Sequence, residues 1–479
     1  MSASRAILGV LLSTLLTPAG AVGPADGVRL VFAGDILLSR QVERELELTK
    51  NSPWKELSPL FHGADFVMGN FEGAVGASDS CPAELAEKHL CFAVREKFLP
   101  LLHDAGFSAV GIENNHSVDL GPTGKQRTAE ALNKAGVGAL SFAGSPYFCR
   151  KKGITVSIVA VDLISAKVPL VELRQKFRLA SNFSDLVVAY VHWGSELKDW
   201  VSDEQELMAS WLVENGADLI VGHHPHVIER ASCVSGKPVF YSLGNDLFDQ
   251  KYPATKEGAL ADCVIKNGEM RCGALRSKTG ESSFFPLASE LDKDLTDNLS
   301  SCTVRLHGTL AIDGFSMRPV MDDELATSAN IAIEALKDGR RVWRTPAKKL
   351  LSLEKMQVKG GRDLLLTLEE HYSPLDKEHS PRPYVYDVGA SMLAAKWRGS
   401  ALAWPLIDAV VVKKQAGMLC ALHRGDSFLI PEPETKSVRT AIYQWNGFGF
   451  SGVQDRAATE SCRSYYKKEA ESFGLRFVD

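Results

Sequence analysis

The chain has 479 residues, 45% of them hydrophobic, which is enough for more than one core and makes two domains the expected organisation. Its formal net charge is −5 and no basic run interrupts it, so it has no means of tracking a phosphate backbone and nucleic acid is not an expected partner. Nine cysteines suit an oxidising compartment, and their odd number leaves at least one unpaired within the chain or bonded to another molecule.

Arg5, the apolar stretch from Ala6 to Leu16 and the small residues Ala19-Gly20-Ala21 have the charged, apolar and small-residue parts of a secretory signal, so residues 1–21 read as a cleaved leader. The alternative is an uncleaved anchor, because Ala6 to Val22 nearly reaches bilayer length. Both readings place the mature protein in the periplasm or outside the cell, touching a membrane through that segment or not at all.

Six short apolar runs follow in the next 230 or so residues: Val28 to Ala33, Ala64 to Met68, Phe107 to Ile112, Leu186 to Val191, Ala217 to Val221 and Pro238 to Leu243. Each is near-continuously apolar, as expected of a strand buried on both faces. Helical patterns lie between them at Val42 to Leu48, Lys97 to Ala105, Thr123 to Ala135 and Glu204 to Glu214, with Gly106, Gly136 and Gly216 placed to close three of these helices in left-handed geometry. Alternating strand and helix predicts an α/β sheet with covering helices over residues 22–320. From Glu257 to Gly314 the pattern becomes shorter and β-like, and Asp322 to Lys337 reads as a helix ending at Gly339.

Residues 340–479 form a second, β-rich unit. Trp343 to Leu368 aligns without a gap on Trp397 to Leu422, superposing Trp343-Arg344 on Trp397-Arg398, and a third partial copy begins near Tyr443-Gln444-Trp445. Among the cysteines, Cys263 and Cys272 flank an Asn267-Gly268 hairpin turn that would set them opposite each other, and Cys81 with Cys91 closes a small loop.

Each of the six runs ends in a polar cluster: Gly34-Asp35, Asn70-Phe71-Glu72, Asn114-Asn115-His116, His192-Trp193-Gly194, Gly222-His223-His224-Pro225-His226 and Gly244-Asn245. Functional groups of open α/β sheets gather outside the carboxyl ends of the strands, so these clusters predict one shared site. Asp35 and Glu72 supply oxygen ligands, Asn115 a carbonyl oxygen, and His192, His224 and His226 imidazole nitrogens, the commonest protein metal ligands. Pro225 is expected to keep its segment extended and to point His224 and His226 the same way, whereas His223 reads as a hydrogen-bonded surface residue. His116 is left for proton transfer, and Asn70, Asn114 and Asn245 complete the surroundings. Nitrogen and oxygen ligation without thiolate suits zinc, manganese or iron. Two such ions would keep four charges against two carboxylates, and that electropositive centre would activate water for ester or amide hydrolysis.

This ordered set of motifs, including Asn114-Asn115-His116-Ser117-Val118-Asp119-Leu120-Gly121 and Tyr241-Ser242-Leu243-Gly244-Asn245, resembles the CapA family of capsule and poly-γ-glutamate synthesis over Val28 to Asp249. The resemblance implies a branch of the calcineurin-like metallophosphoesterases, a two-sheet sandwich flanked by helices. It further implies that Asp35 and His226 serve one metal, that Asn115, His192 and His224 serve the other, that Glu72 bridges, and that His116 protonates the leaving group. Asp119 then orients His116 or caps the following helix. Two departures stand out: the superfamily's Asp-x-His has become Asp35-Ile36-Leu37, and its Asp-x-x-Asp block has become Asn70-Phe71-Glu72. The implied function is an exported metal-dependent hydrolase acting on an anionic surface polymer or its precursor, alongside capsule-biosynthesis proteins. The alternative is a non-catalytic polymer-binding, export or anchoring component. The tail is similar in shape to FG-GAP or VCBS-type β-propeller repeats, with Gly360-Gly361-Arg362-Asp363 where their aspartate-rich calcium loop would be.

Overall fold

The computed structural model describes residues 27–478, apart from positions 89, 166, 281, 288–289, 321–329, 374–377, 400–401, 403, 414, 426–436 and 473. The leader expected over residues 1–21 lies outside the described residues. Among the latter, no helix is long and apolar enough to cross a membrane.

Two sheets make the first unit. In one, β1 (Val28–Ile36), β2 (Phe66–Phe71), β3 (Ala109–Gly111) and β4 (Gly138–Leu140) run parallel in that order. In the other, β5 (Ile154–Asp162), β6 (Leu186–His192), β7 (Leu219–His223) and β8 (Lys237–Phe240) do the same. The hairpin β9 (Glu257–Lys266) and β10 (Glu269–Lys278) extends the first sheet antiparallel to β1.

Side-chain alternation then builds three cores. Phe32, Met68, Ile158, Val188, Tyr190 and Val221 fill the space between the sheets. On the outer face of the first sheet, Val31, Val67 and Val110 meet Leu46 of α1 (Arg40–Thr49), Leu102 of α2 (Pro100–Ala105) and Leu132 of α3 (Pro122–Lys134). On the outer face of the second, Val159, Val187 and Ile220 meet Phe177 of α4 (Leu170–Phe183) and Leu212 of α5 (Asp203–Glu214). The result is a mixed α/β unit in four layers, with the carboxyl ends of all six motif-bearing strands available to one edge.

The second unit starts earlier than expected and differs in kind at its start. Strand Phe315–Val320 pairs with β11 (Asn330–Lys337), so the residues read as the end of a helix, 330–337, are strand. Ile331 and Ile333 are stiff β-branched residues in a short apolar run, and a neighbouring strand decides such a run for β. The rest of that helix reading lies outside the described residues.

Two antiparallel meanders follow: β12 (Arg340–Arg344), β13 (Lys348–Met356), β14 (Leu364–Ser373), β15 (Glu378–Val388) and β16 (Leu393–Arg398) complete one, and β17 (Leu406–Val411), β18 (Met418–Arg424), β19 (Ser437–Trp445) and β20 (Phe450–Val453) the other. The aligned tryptophans sit at matching places. Trp343 pairs with Ala335 and Trp397 with Val385, each beside a register shift, and the next hairpins carry their own shifts at Leu350/Ser352 and Leu406/Asp408.

Helix α4, absent from the sequence reading, joins the units. Phe177 faces the second sheet, while Leu179 and Phe183 enter the tail core beside Ile331, Leu353 and Leu365. Buried Asp408 accepts from Arg178 at 3.0 and 2.6 Å, from Gln175 at 2.9 Å and from Tyr466 at 2.9 Å. Removing one side of a buried ion pair leaves an uncompensated charge, so Asp408→Ala is expected to cost about 3–5 kcal/mol in denaturant unfolding. A transition that overlays the wild type would contradict this.

His423 is wholly buried in the tail, between the Trp404 carbonyl at 3.0 Å and the Tyr443 hydroxyl at 3.0 Å. Burial pushes its pKa down to about 4. The folded state therefore binds this proton less readily than the unfolded chain does. Its stabilising contribution is whole above the ordinary histidine value and is lost as pH falls toward 4, by up to about 3 kcal/mol. Melting temperatures between pH 7 and pH 4 are expected to fall less steeply in His423→Gln than in the wild type.

Four disulfides are formed: Cys81–Cys91, Cys263–Cys272, Cys233–Cys302 and Cys420–Cys462. The first two are those read from local spacing. The other two span 69 and 42 residues and had no local signal.

Candidate metal centre

The two sheets meet at one edge because their backbones touch there. The Asp35 amide donates to the Gly244 carbonyl at 2.9 Å, and a Cβ on Gly34 would lie 2.1 Å from that oxygen. A Cβ on Gly222 would lie 2.0 Å from the Tyr241 carbonyl. Glycine at 34 permits the approach that sets Asp35 opposite Asn245, and glycine at 222 lets the ends of β7 and β8 lie close within the second sheet.

Asp35, Glu72 and His226 converge there from the ends of β1, β2 and β7, each wholly or almost wholly buried, with one possible ligand atom apiece all within 4.8 Å of one another. His226 Nδ1 stands 3.1 Å from Asp35 Oδ2, and its Nε2 3.7 Å from Glu72 Oε2. On the other side of Glu72, His192 Nε2 lies 4.0 Å from Oε1 and 2.9 Å from Asn115 Oδ1. The His224 ring stands 4.7 Å from that of His192. Glu72 thus has Oε2 toward His226 and Oε1 toward His192, with Asn115 and His224 beside the latter.

Asparagines hold this arrangement in place. Asn70 Nδ2 donates to Asp35 Oδ1 at 2.8 Å and to Glu72 Oε1 at 3.0 Å. Asn114 Nδ2 donates in turn to Asn70 Oδ1 at 3.2 Å and to the Phe71 carbonyl at 2.8 Å. Asn245 Oδ1 lies 3.0 Å from His226 Nδ1, and its amide donates to Gln250 and to the Thr255 carbonyl.

Burial opposes charge throughout the cluster, and specific partners decide who keeps it. Glu72 is pushed well above the usual carboxylate range by desolvation. Burial would do the same to Asp35, but His223 and His226 outweigh it and hold that carboxyl well below the range. His192 and His224 are pushed down by burial, which favours the neutral imidazole that binds metal. His226 suffers the same desolvation, yet Glu72 and Asp35 raise it to about 9.

His116 sits at the rim of this cluster. Its Nδ1 is 3.0 Å from Asp119 Oδ2, which also accepts from the Phe92 amide at 2.7 Å. Asp119 is thus paired with His116 and does not cap α3, whose N-cap is Gly121 with no side-chain cap. Phe92 stacks on the imidazole with centroids 3.7 Å apart, and the Arg40 guanidinium lies 4.4 Å from the Phe92 ring centre. Phe92 carries no mark of this role in the sequence beyond its position next to Cys91.

Two readings of the histidine motif need correction. The segment around Pro225 is not extended, because His224 and His226 have φ of 99° and 59°, and their rings stand 6.2 Å apart at different angles. After β7 the chain must turn back across Asp35, whose Oδ2 lies 3.4 Å from the His224 amide, and left-handed residues make that turn. His223 is not on the surface. It is wholly buried, with Nδ1 3.3 Å from Asp35 Oδ1 and its ring 4.3 Å from that of Tyr190.

The donor set suits a divalent transition metal. Glu72 Oε2 and His224 Nδ1 are buried without a hydrogen-bond partner among the described residues, which a cation bound beside them would satisfy.

Fold and site together define an α/β protein with a carboxylate–imidazole cluster buried where two sheets meet. Residues 29–250 match the family described as bacterial capsule synthesis protein PGA_cap. The capsule biosynthesis protein CapA of Bacillus anthracis is 29% identical over 295 residues, covering 56% of this chain and 72% of its own. The PGA biosynthesis protein CapA of Bacillus subtilis (strain 168) is 29% identical over 274 residues, covering 51% and 70%. A probable polyglutamine synthesis accessory protein of Mycobacterium tuberculosis (strain CDC 1551 / Oshkosh) is 22% identical over 231 residues, covering 41% and 60%. The N-terminal α/β unit is thus similar to the CapA family, and the relatives it matches are named as proteins of capsule and poly-glutamate biosynthesis.

Proposed function

We propose that this is an exported, metal-dependent hydrolase that cleaves a phosphoester or amide bond in an anionic surface polymer or its precursor. The observation that carries the reading is the convergence of Asp35, Glu72 and His226, with His192 and Asn115 on the far side of the same glutamate. Asp35 and His226 would hold one ion, Asn115, His192 and His224 a second, and Glu72 would bridge, in a metallophosphoesterase-like sandwich. Bound metal would supply an activated water and positive charge against the substrate's anionic oxygens. His116, oriented by Asp119, donates the proton to the leaving group. Export is supported by the leader-like first residues and by four disulfides. The tail, read as propeller-like repeats, would dock biosynthetic partners.

The test is elemental analysis of purified protein after reconstitution with zinc, manganese or iron, followed by a panel of phosphoesters and γ-glutamyl amides. One or two ions per chain and turnover on the panel are expected; protein that stays metal-free overturns the reading.

A second reading, non-catalytic polymer binding, is favoured by Leu37. It stands where the superfamily carries a ligand and is buried with Phe92 and Phe248 in a small apolar cluster.

A further inference from the structure

The geometry points to His223 as the positioning residue of Asp35, holding Oδ1 so that Oδ2 remains turned toward His226. This rests on the reading of the cluster as a metal centre. Asp35 is wholly buried, so both oxygens require donors. Around Oδ2 stand His226 Nδ1 at 3.1 Å and the His224 amide at 3.4 Å. Around Oδ1 stand Asn70 Nδ2 at 2.8 Å and His223 Nδ1 at 3.3 Å. The Asn70 amide is shared, because it also reaches Glu72 at 3.0 Å and lies 3.4 Å from His192 Nδ1. Unlike Asn70, His223 is in ion-pair range of Asp35 and of no second carboxylate among the described residues.

Its place in the fold explains the reach. His223 is the last residue of β7, directly across from His192 on β6. Alternation sends its side chain with that of Val221 toward the space between the sheets, where it packs on Tyr190. It therefore approaches Asp35 from beneath. Both ring nitrogens lack a well-aligned hydrogen bond among the described residues, the contact to Asp35 being short enough but poorly directed. An apolar residue would fill this layer without burying two nitrogens, so packing alone does not account for an imidazole here. Outer partners that orient a ligand carboxylate govern metal affinity without touching the ion.

The experiment is calorimetric titration of metal-free full-length protein with Mn²⁺ or Zn²⁺, comparing wild type with His223→Phe, His223→Ala and His223→Asn. Phenylalanine keeps the packing on Tyr190 and loses the donor, and alanine loses both. Asparagine places an amide nitrogen near the position of Nδ1. His223→Phe and His223→Ala are expected to bind about 10–100-fold more weakly than wild type, with His223→Asn recovering most of the difference. Either apolar variant binding as tightly as wild type overturns the proposal, and so does an asparagine variant as weak as the phenylalanine one. Wild-type protein that takes up no metal removes the metal-centre reading itself, an outcome separate from these two.

Discussion

Asp35→Ala is expected to lower transition-metal affinity more than about 100-fold, beyond the loss that follows removal of an outer partner, while the protein stays folded by circular dichroism. The carboxylate lies within reach of His226, His223 and the amide of Asn70, and a fully buried group cannot be replaced there by a solvent oxygen. The fold is expected to survive because the side chain contributes little to the three apolar layers, which are built from neighbours such as Val31, Phe32 and Ala33. Titration calorimetry and elemental analysis read the effect. A variant that keeps wild-type metal content would place the ion, and with it the proposed chemistry, elsewhere.

His116→Ala is expected to leave metal content unchanged and to lower turnover about 10²–10⁴-fold, the usual worth of a general acid or base. With Nδ1 committed to Asp119, Nε2 is the nitrogen that can address a substrate, and stacking on Phe92 fixes its direction. Asp119→Asn is expected to fall between wild type and His116→Ala, since the carboxylate acts through the imidazole. If turnover is measurable in the wild type and unchanged in His116→Ala, the proton-transfer role fails. If the wild type has no turnover on the panel but binds anionic polymer, and His116→Ala binds as well, the non-catalytic reading gains.

The sheet strands and the residues at their ends were legible because both leave local marks. A strand buried on two faces is written as a short apolar run, and a polar cluster after it marks the edge, so Asp35, Glu72, His192 and His226 could be named as one group before any fold was known. What could not be read depended on partners distant in the chain. His223 has the same local context as a surface histidine, and only the approach of β1 to β7 buries it against Asp35. Residues 330–337 alternate too weakly to exclude a helix until Phe315–Val320 lies beside them. The turn around Pro225 was misread because the proline constrains its own φ, whereas the left-handed residues are its neighbours His224 and His226. Cys233 and Cys302 meet through tertiary packing alone.

Helix α4 contributes side chains to two cores at once, Phe177 to one and Leu179 with Phe183 to the other. A chain cut after residue 306 to isolate the N-terminal unit would keep that helix and bare its second stripe to water, together with an Arg178 stripped of its counter-charge. Such a fragment is expected to self-associate unless those greasy positions are first made polar. The appended unit therefore acts as a built-in cover, and removing it changes solubility before it reveals anything about chemistry.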